Sequence, residues 1–95
     1  MDEKRKATMS QNAIKEFVEM TKSEKERIIS YLNSGEEIAA GAGYVMDKKS
    51  GEYTRIPLLA YSDGIYDWTN EQIYNFEKND EVFDEELFEY ILREK

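Results

Sequence analysis

Residues 61–76 constrain the fold most, because a turn, a strand and a helix start follow one another in this single run. Ser62-Asp63-Gly64 predicts a three-residue hairpin loop with its glycine in a left-handed conformation. Residues 65–68 predict a short aromatic strand that ends at the only tryptophan, Trp68. Residues 69–72 have the Thr-x-x-Gln spacing of a capping box. The run therefore joins a small sheet to a C-terminal helix.

Two further strands precede this run. From Glu37 to Met46 the side chains alternate with a period of two, which predicts a strand. The polar segment 47–51 ends in glycine and predicts a five-residue hairpin loop. Residues 52–61 predict the second strand. The three strands together predict an antiparallel meander.

The register follows from requiring both hairpins to bury the same face. Pairing Ala40 with Leu58, and Leu58 with Trp68, achieves this agreement. The predicted core face then consists of Ile38, Ala40, Ala42, Ile56, Leu58, Ala60, Tyr66 and Trp68. Pro57 cannot donate a ladder hydrogen bond in a central strand, so we expect a bulge or a break in pairing there.

Helices are predicted on both sides of the sheet. We expect residues 1–9 to form a flexible tail and residues 10–95 to form a single domain. Ser10 is a candidate N-cap for a first helix, whose apolar stripe comprises Ile14, Phe17 and Val18. A second helix begins at a capping box made by either of two Ser/Thr–Glu pairs, Thr21 with Glu24 or Ser23 with Glu26. Residues 10–34 therefore hold two short helices or one bent helix.

The helix ends are also marked. Gly35 predicts a left-handed C-cap for the second helix. Beyond the sheet, one helix ends near Asn79, and Asp84 caps the last helix with Phe83 and Phe88 as its hydrophobic staple. The predicted order is ααβββαα, an α+β fold in which a three-stranded antiparallel meander packs with N-terminal and C-terminal helices.

Composition excludes several kinds of site. The 95-residue chain has no histidine and no cysteine, which removes disulfides, thiolate chemistry and the commonest general base and zinc ligands. Its net charge is −8, and residues 71–95 hold nine acidic and three basic side chains. Nucleic-acid binding is not expected, because phosphate repels such a surface. The longest nearly apolar run, 38–46, is too short to span a bilayer, and the charged N-terminus is unlike a signal peptide. We expect a cytoplasmic protein.

Two features resemble chemical sites without meeting their requirements. The Gly41-Ala42-Gly43 run lacks the third glycine or the lysine of a phosphate-binding loop, and a strand follows it where a helix is required. The acidic residues of 77–89 lack the ligand spacing of an EF-hand. We therefore expect no cofactor and no metal. A small enzyme using carboxylates and tyrosine remains an alternative, which a buried carboxylate with a raised pKa would favour.

The face opposite the predicted core carries Val45, Tyr53, Arg55, Leu59, Tyr61, Ile65 and Asp67. Tyrosine and arginine are enriched among the residues that contribute most to protein interfaces. This face is therefore either a partner-binding surface or a face covered by a pair of helices. The acidic cluster likewise is either a solvated helix surface or a patch that steers a basic partner.

Residues 61–95 resemble a class of small bacterial proteins. The resemblance lies in the run Tyr-Ser-Asp-Gly-Ile-Tyr-Asp-Trp-Thr, followed by the runs 73–78 and 83–88, which in that class belong to two short acidic helices. Such proteins are often uncharacterised, and some are suspected immunity partners of secreted toxins. The resemblance implies that this chain binds a toxin protein.

These observations predict a non-enzymatic binding protein, an immunity-type or antitoxin-like inhibitor that neutralises a basic bacterial toxin. Its predicted partner-binding residues are Tyr53, Arg55, Tyr61, Ile65, Asp67, Asp80, Glu81 and Glu85. The alternative is a structural or regulatory subunit that forms a homodimer through its sheet.

Overall fold

The fold is an open three-stranded sheet preceded by one helix and followed by two. A computed structural model describes residues 20–95. The elements are α1 (Lys22–Asn33), β1 (Glu36–Asp47), β2 (Glu52–Ser62), β3 (Asp67–Thr69), α2 (Asn70–Asn79) and α3 (Glu85–Glu94). The strands pair antiparallel in the order β1-β2-β3. The predicted α+β meander is confirmed. The first predicted helix, with Ser10, and the predicted tail lie outside the described residues.

The helix starts form as local sequence signals predict. The Thr21 hydroxyl accepts a hydrogen bond from the Glu24 N–H at 3.1 Å, and the Glu24 carboxylate accepts one from the Thr21 N–H at 2.9 Å. Thr69 forms the equivalent capping box with Gln72 at the start of α2. Asp84 caps α3 by accepting from the Leu87 N–H at 3.0 Å. Each cap satisfies backbone donors that the first helical turn leaves without partners.

The end of α1 corrects the predicted role of Gly35. Ser34 is the C-cap in a right-handed conformation, and Gly35 does not have a positive φ. A Cβ atom at Gly35 would lie 2.6 Å from Cζ2 of Trp68. Glycine is required here because the tryptophan ring packs directly against the backbone, and no left-handed turn is involved.

The hydrophobic core lies among the helices and β3. Its buried residues are Ile28, Leu32, Trp68, Ile73, Phe76, Leu87, Phe88 and Ile91. The Trp68 side chain is 2% exposed, and its indole Nε1 donates to the Leu32 carbonyl at 2.9 Å. The Phe88 ring makes edge contacts with Phe76 and with its predicted staple partner Phe83, at centroid distances of 4.7 Å and 5.1 Å. Trp68 and Ile73, which lie on either side of the α2 capping box, both belong to this core.

The register of the second hairpin differs from the prediction. Tyr61 pairs with Trp68 and Ser62 with Asp67, whereas the sequence predicted that Leu58 faces Trp68. The shift is an odd number of residues, so Tyr61 shares the face of Trp68 instead of lying opposite it. The Asp63 carboxylate explains the difference. It accepts hydrogen bonds from the N–H groups of Ile65 at 2.8 Å and Tyr66 at 2.7 Å. These bonds hold a four-residue loop over 63–66, and β3 begins at Asp67.

The first hairpin is irregular around Pro57, as predicted. Pro57 pairs with Tyr44, and a register shift lies on each side of this pair. A further shift lies near the start of β1, between Glu37 and Ala39. The predicted burial of β1 is wrong: Ile38 is 52% exposed, and every residue from 36 to 44 is exposed.

The remaining residues of the predicted core face differ from one another in exposure. Ile56 of β2 is 44% exposed, whereas Leu58, Ala60 and Tyr66 are half-buried. The sheet buries Val45 near the turn of the first hairpin, at 0% exposure, where α2 contacts β1. Helices thus meet the sheet at its two ends, and the first half of β1 is left exposed within residues 20–95.

Candidate protein-binding surface on the first hairpin

The exposed apolar side chains concentrate on one element pair. Five large hydrophobic residues of the described chain are exposed, and four of them lie on β1 and β2. Their exposed fractions are 52% for Ile38, 53% for Tyr44, 68% for Tyr53 and 44% for Ile56. Single exposed hydrophobic residues are common on protein surfaces, but a group on one hairpin indicates a binding surface.

The strand register puts the two tyrosines on the same side of the sheet. Tyr44 pairs with Pro57 and Met46 pairs with Tyr53, so the members of each pair project from the same side of the sheet. Tyr44 and Met46 are two residues apart on β1 and also share that side. We call this surface, formed by Tyr44, Met46, Tyr53 and Pro57, the hairpin face. On this face both tyrosines and the proline are exposed, and Met46 is half-buried.

Irregular backbone places Tyr44 in this position. β1 has extra residues at Gly41-Ala42-Gly43, and β2 has extra residues at 54–56. Gly43 has a φ of 104°, which side-chain-bearing residues rarely adopt. Bulges of this kind bend a strand and redirect the side chains that follow. The two irregular segments lie on either side of the Tyr44–Pro57 pair.

Helix α2 holds the turn end of the hairpin in place. Asn75 is 0% exposed, and its side chain donates to the Met46 carbonyl at 2.9 Å and accepts from the Lys48 N–H at 2.8 Å. The Glu71 carboxylate accepts from the Met46 N–H at 3.0 Å. A buried amide with satisfied hydrogen bonds fixes one geometry, because losing a partner in the interior is costly.

Asp47 connects the same helix to the turn. Its carboxylate accepts from Asn79 at 3.0 Å, from Tyr74 at 3.1 Å and from the backbone N–H of Lys49 at 2.9 Å. The hydrogen bond from Asn79 is the largest cause that lowers the pKa of Asp47, and the bond from the Ser50 N–H adds to it. The carboxylate therefore stays ionised and keeps the turn attached to α2.

The predicted partner-binding residues fall into separate groups. Tyr53 and Arg55 are exposed near the turn of the first hairpin, while Ile65 and Asp67 are exposed at the opposite end of β2. The eleven residues of β2 separate the two groups by roughly 30 Å. Tyr61 is half-buried and packs against the core, with its Cβ close to Gly35. The predicted residues therefore do not form one continuous surface.

The predicted acidic residues are partly engaged within the chain. Asp80 forms an ion pair with Lys25, although its side chain is 72% exposed. Glu81 lies 3.5 Å from the ammonium group of Lys48 in the hairpin turn. One carboxylate oxygen of Glu85 is buried without a hydrogen-bond partner. Glu81 thus lies beside the first hairpin, and Asp80 belongs to the contact between α1 and the end of α2.

A second cluster of polar and aromatic groups surrounds the β2–β3 loop. The Tyr31 hydroxyl donates to the Asp63 carboxylate, and the Tyr31 ring contacts Trp68 and Tyr90 at centroid distances of 6.1 Å and 6.5 Å. Burial, followed by the hydrogen bond to Asp63, raises the pKa of Tyr31. Burial alone would raise the pKa of Asp63, but the hydrogen bonds from Tyr31 and the loop N–H groups outweigh it and lower that pKa.

This cluster does not have the properties of a catalytic site. A tyrosine with a raised pKa is a poor base or nucleophile, and the carboxylate beside it is held in its ionised form. The cluster instead fixes the loop that starts β3, because Asp63 connects α1 to that loop. Among residues 20–95, no group of three or more acidic side chains is arranged to hold a metal ion.

A cleft of about 470 Å³ lies between α1 and α3. Arg27 and Lys95 are the basic residues of its lining, and the Arg27 guanidinium donates to the carbonyls of Leu92 at 3.3 Å and Ile91 at 3.5 Å. These bonds satisfy carbonyls at the C-terminal end of α3. The arginine thus has a structural role at this helix end. No described helix is long and apolar enough to cross a membrane.

Comparisons with known proteins identify no relative: no protein-family model, no curated protein and no solved structure matches the chain.

Proposed function

We propose that this chain is a non-enzymatic protein-binding module that engages its partner through the hairpin face. The observation that carries the proposal is the exposure of Tyr44 and Tyr53, 53% and 68%, on a hairpin whose turn is fixed to α2. Tyrosine gives a large contact area with few rotatable bonds, so little conformational entropy is lost when it binds. A surface that is already ordered before binding reduces that cost further.

Electrostatics favours a basic partner. Residues 20–95 contain seventeen acidic and nine basic side chains. On the hairpin itself, Glu36 and Glu37 are exposed at the start of β1, whereas Glu52 near the turn has the exposed basic residues Lys48, Lys49 and Arg55 as neighbours. The overall acidic excess would attract a cationic surface and would slow the approach of an anionic one. In its finer form the proposal is an immunity-type or antitoxin-like inhibitor that occludes a basic bacterial toxin.

The binding test compares a double tyrosine variant of the hairpin face with a variant of Ile65, an exposed residue of the β2–β3 loop. The full chain, a Tyr44→Ser/Tyr53→Ser variant and an Ile65→Ser variant are immobilised, and partners are captured from an extract of the source organism. We expect the double variant to lose the captured partner and Ile65→Ser to retain it. Loss with Ile65→Ser alone would place the interface at the β2–β3 loop and would contradict the proposal.

Inhibition is tested with the partner itself. The gene of the captured protein is expressed in a bacterial host with and without this chain, and growth is followed. We expect the partner alone to arrest growth and the wild-type chain to restore it, whereas the double tyrosine variant does not. A captured partner that leaves growth unaffected would remove the inhibitor interpretation while leaving the binding module in place.

Steering by the acidic residues has a separate readout. Replacing Asp80, Glu81 and Glu85 by lysine should lower the association rate several-fold at low ionic strength, with a smaller effect at high salt. An unchanged association rate would show that these residues do not steer the partner.

The alternative function is self-association through the exposed first half of β1. The observation in its favour is that β1 is an edge strand. Sedimentation velocity at micromolar concentration separates the two functions, because a monomer contradicts the alternative. A dimer that buries Tyr44 and Tyr53 would remove the hairpin face from the proposed interface.

A further inference from the structure

The backbone groups at the outer edge of β1 have hydrogen-bond partners only near the turn of the first hairpin. Near the turn, the side chains of Glu71 and Asn75 satisfy the outward N–H and C=O of Met46. The carbonyl of Val45 instead points towards β2, where it accepts from the Thr54 hydroxyl at 2.8 Å. Backbone groups of a strand alternate between its two edges, so Tyr44 presents its N–H and C=O to the outer edge. In residues 20–95, no element forms hydrogen bonds with the outer edge of 36–44.

The side chains of this open segment permit close approach of another backbone. Residues 39–43 are alanine and glycine, and all of them are exposed. Natural edge strands commonly carry lysine or proline to prevent pairing with other chains, and neither occurs between Glu36 and Tyr44. The only charged residues of the segment are Glu36 and Glu37.

The register shifts restrict what can pair there. Irregularities near Ile38 and at 41–43 divide the edge into short stretches, and bulges of this kind limit indiscriminate pairing. A partner strand can therefore form only a few backbone hydrogen bonds and must also use side-chain contacts. Ile38 and Tyr44, each about half exposed, lie at the two ends of the small-residue stretch and can supply those contacts.

We propose that the outer edge of β1 over 36–44 accepts an extended basic segment of the partner protein as a fourth strand of the sheet. This inference rests on the proposed function and specifies how part of the partner is bound. Backbone hydrogen bonds would provide affinity, and lysine or arginine near Glu36 and Glu37 would provide specificity. A second copy is the less favourable occupant, because each copy brings the same excess of acidic residues and the same two glutamates.

The test begins with a random twelve-residue peptide library displayed on phage and selected on the immobilised full chain. We expect the enriched peptides to contain at least two lysine or arginine residues together with β-branched residues, and to lack proline in their centre. The strongest binder is synthesised and titrated into ¹⁵N-labelled protein. Amide shifts should be centred on residues 36–44, and the Tyr44 amide should gain protection from hydrogen exchange.

Two variants at one exposed position serve as a matched pair. Ala40→Lys introduces a charge that repels a basic strand, so the Kd of the peptide should rise at least tenfold. Ala40→Glu changes the residue size similarly and should leave the Kd unchanged or lower it. Equal effects of the two substitutions would contradict the charge argument. Amide spectra of both variants establish that the fold is retained.

Several outcomes would overturn the inference. They are enrichment of acidic or proline-rich peptides, an absence of enrichment, and shifts that avoid 36–44. Concentration-dependent shifts at 36–44 without peptide would replace the basic strand by a second copy. A peptide that shifts Tyr44, Met46 and Tyr53 but not 36–43 would end the edge-strand inference while supporting the hairpin face. Failure of the proposed function is recognised separately, when the double tyrosine variant still captures the partner.

Discussion

The helical core and the first hairpin are stabilised in different ways. In the core, eight buried hydrophobic residues contact one another, and the polar Nε1 of Trp68 has a partner. The hairpin has little apolar burial of its own. It is held by side-chain hydrogen bonds from α2 to its turn. An isolated two-stranded hairpin is marginally stable in water, so this attachment is needed to keep the exposed tyrosines in place.

This difference predicts that substitutions in the two regions affect different measurements. Core substitutions should lower the free energy of unfolding, because they remove buried apolar contacts. Hairpin-face substitutions should alter partner binding with little change in that free energy. Substitutions in the α2 residues that bind the hairpin turn should change both the free energy of unfolding and partner binding.

The largest expected effect is that of Trp68→Ala. It removes a side chain that is 2% exposed, together with one of the hydrogen bonds that the Leu32 carbonyl accepts. We expect the free energy of unfolding, measured by urea denaturation, to fall by about 3–5 kcal/mol. The control Tyr53→Ala, on the exposed hairpin, should change it by less than about 0.5 kcal/mol. Similar losses for the two variants would show that the hairpin belongs to the core.

Asn75→Ala tests the attachment between α2 and the hairpin. The substitution removes the bonds from the buried Asn75 side chain to the partly buried backbone groups of Met46 and Lys48. We expect a loss of about 2–3 kcal/mol in the free energy of unfolding. Hydrogen exchange should accelerate over residues 46–51.

The exposed neighbour Lys78 provides the control for that experiment, because Lys78→Ala changes the same helix without touching the hairpin. Exchange over 46–51 that remains slow in Asn75→Ala would mean that the hairpin does not depend on α2.

Gly35→Ala adds a methyl group where the Trp68 ring meets the backbone. The added Cβ would lie 2.6 Å from Cζ2 of the ring, so either the ring or the backbone must move. We expect a loss of about 1–3 kcal/mol, as for other overpacked sites. Asn33→Ala, at an exposed position two residues earlier, is the control. A stabilised Gly35→Ala variant would show that the ring can shift at no cost.

The smallest effects concern pH. The pKa of Tyr31 is raised in the folded state, so the unfolded chain loses the proton first and stability should fall as the pH rises above about 10. The pKa of Asp63 is lowered, so the unfolded chain takes up the proton first and stability should fall as the pH drops below about 4.

Two substitutions separate these contributions. Tyr31→Phe should flatten the alkaline part of the stability profile, and Asp63→Asn should flatten the acidic part. The double variant should be less destabilised than the sum of the single variants, because the two groups share one hydrogen bond. Full additivity would indicate that the bond does not contribute to stability.

Local signals in the sequence predicted the elements well. The capping residues Thr21, Thr69 and Asp84 mark helix starts within a few residues of the caps, and the structure forms all three. The irregularity at Pro57 was also predictable from the sequence, because proline itself lacks the N–H that a strand pair requires. Such features depend on chemistry within one turn of helix or one pair of strands.

The register and the exposed surface were not predictable in this way. The second register depended on whether Asp63 closes a three- or four-residue loop, and that choice reversed the face of Tyr61. The exposure of β1 depended on where the helices dock. Alternation of small residues such as Ala40 and Ala42 is equally compatible with a buried and an exposed strand. The hairpin face was missed for this reason, although Tyr53 was among the predicted residues.

The most direct test of the account is the Kd of the captured partner, measured by calorimetry for the wild-type chain and the Tyr44→Ser/Tyr53→Ser variant. The free energy of unfolding is measured on the same two samples. We predict that the Kd rises by about 30-fold or more, as for loss of an interface hot spot, while the free energy of unfolding changes by less than about 1 kcal/mol. An unchanged Kd in a variant that folds normally would contradict the assignment of the hairpin face as the binding surface.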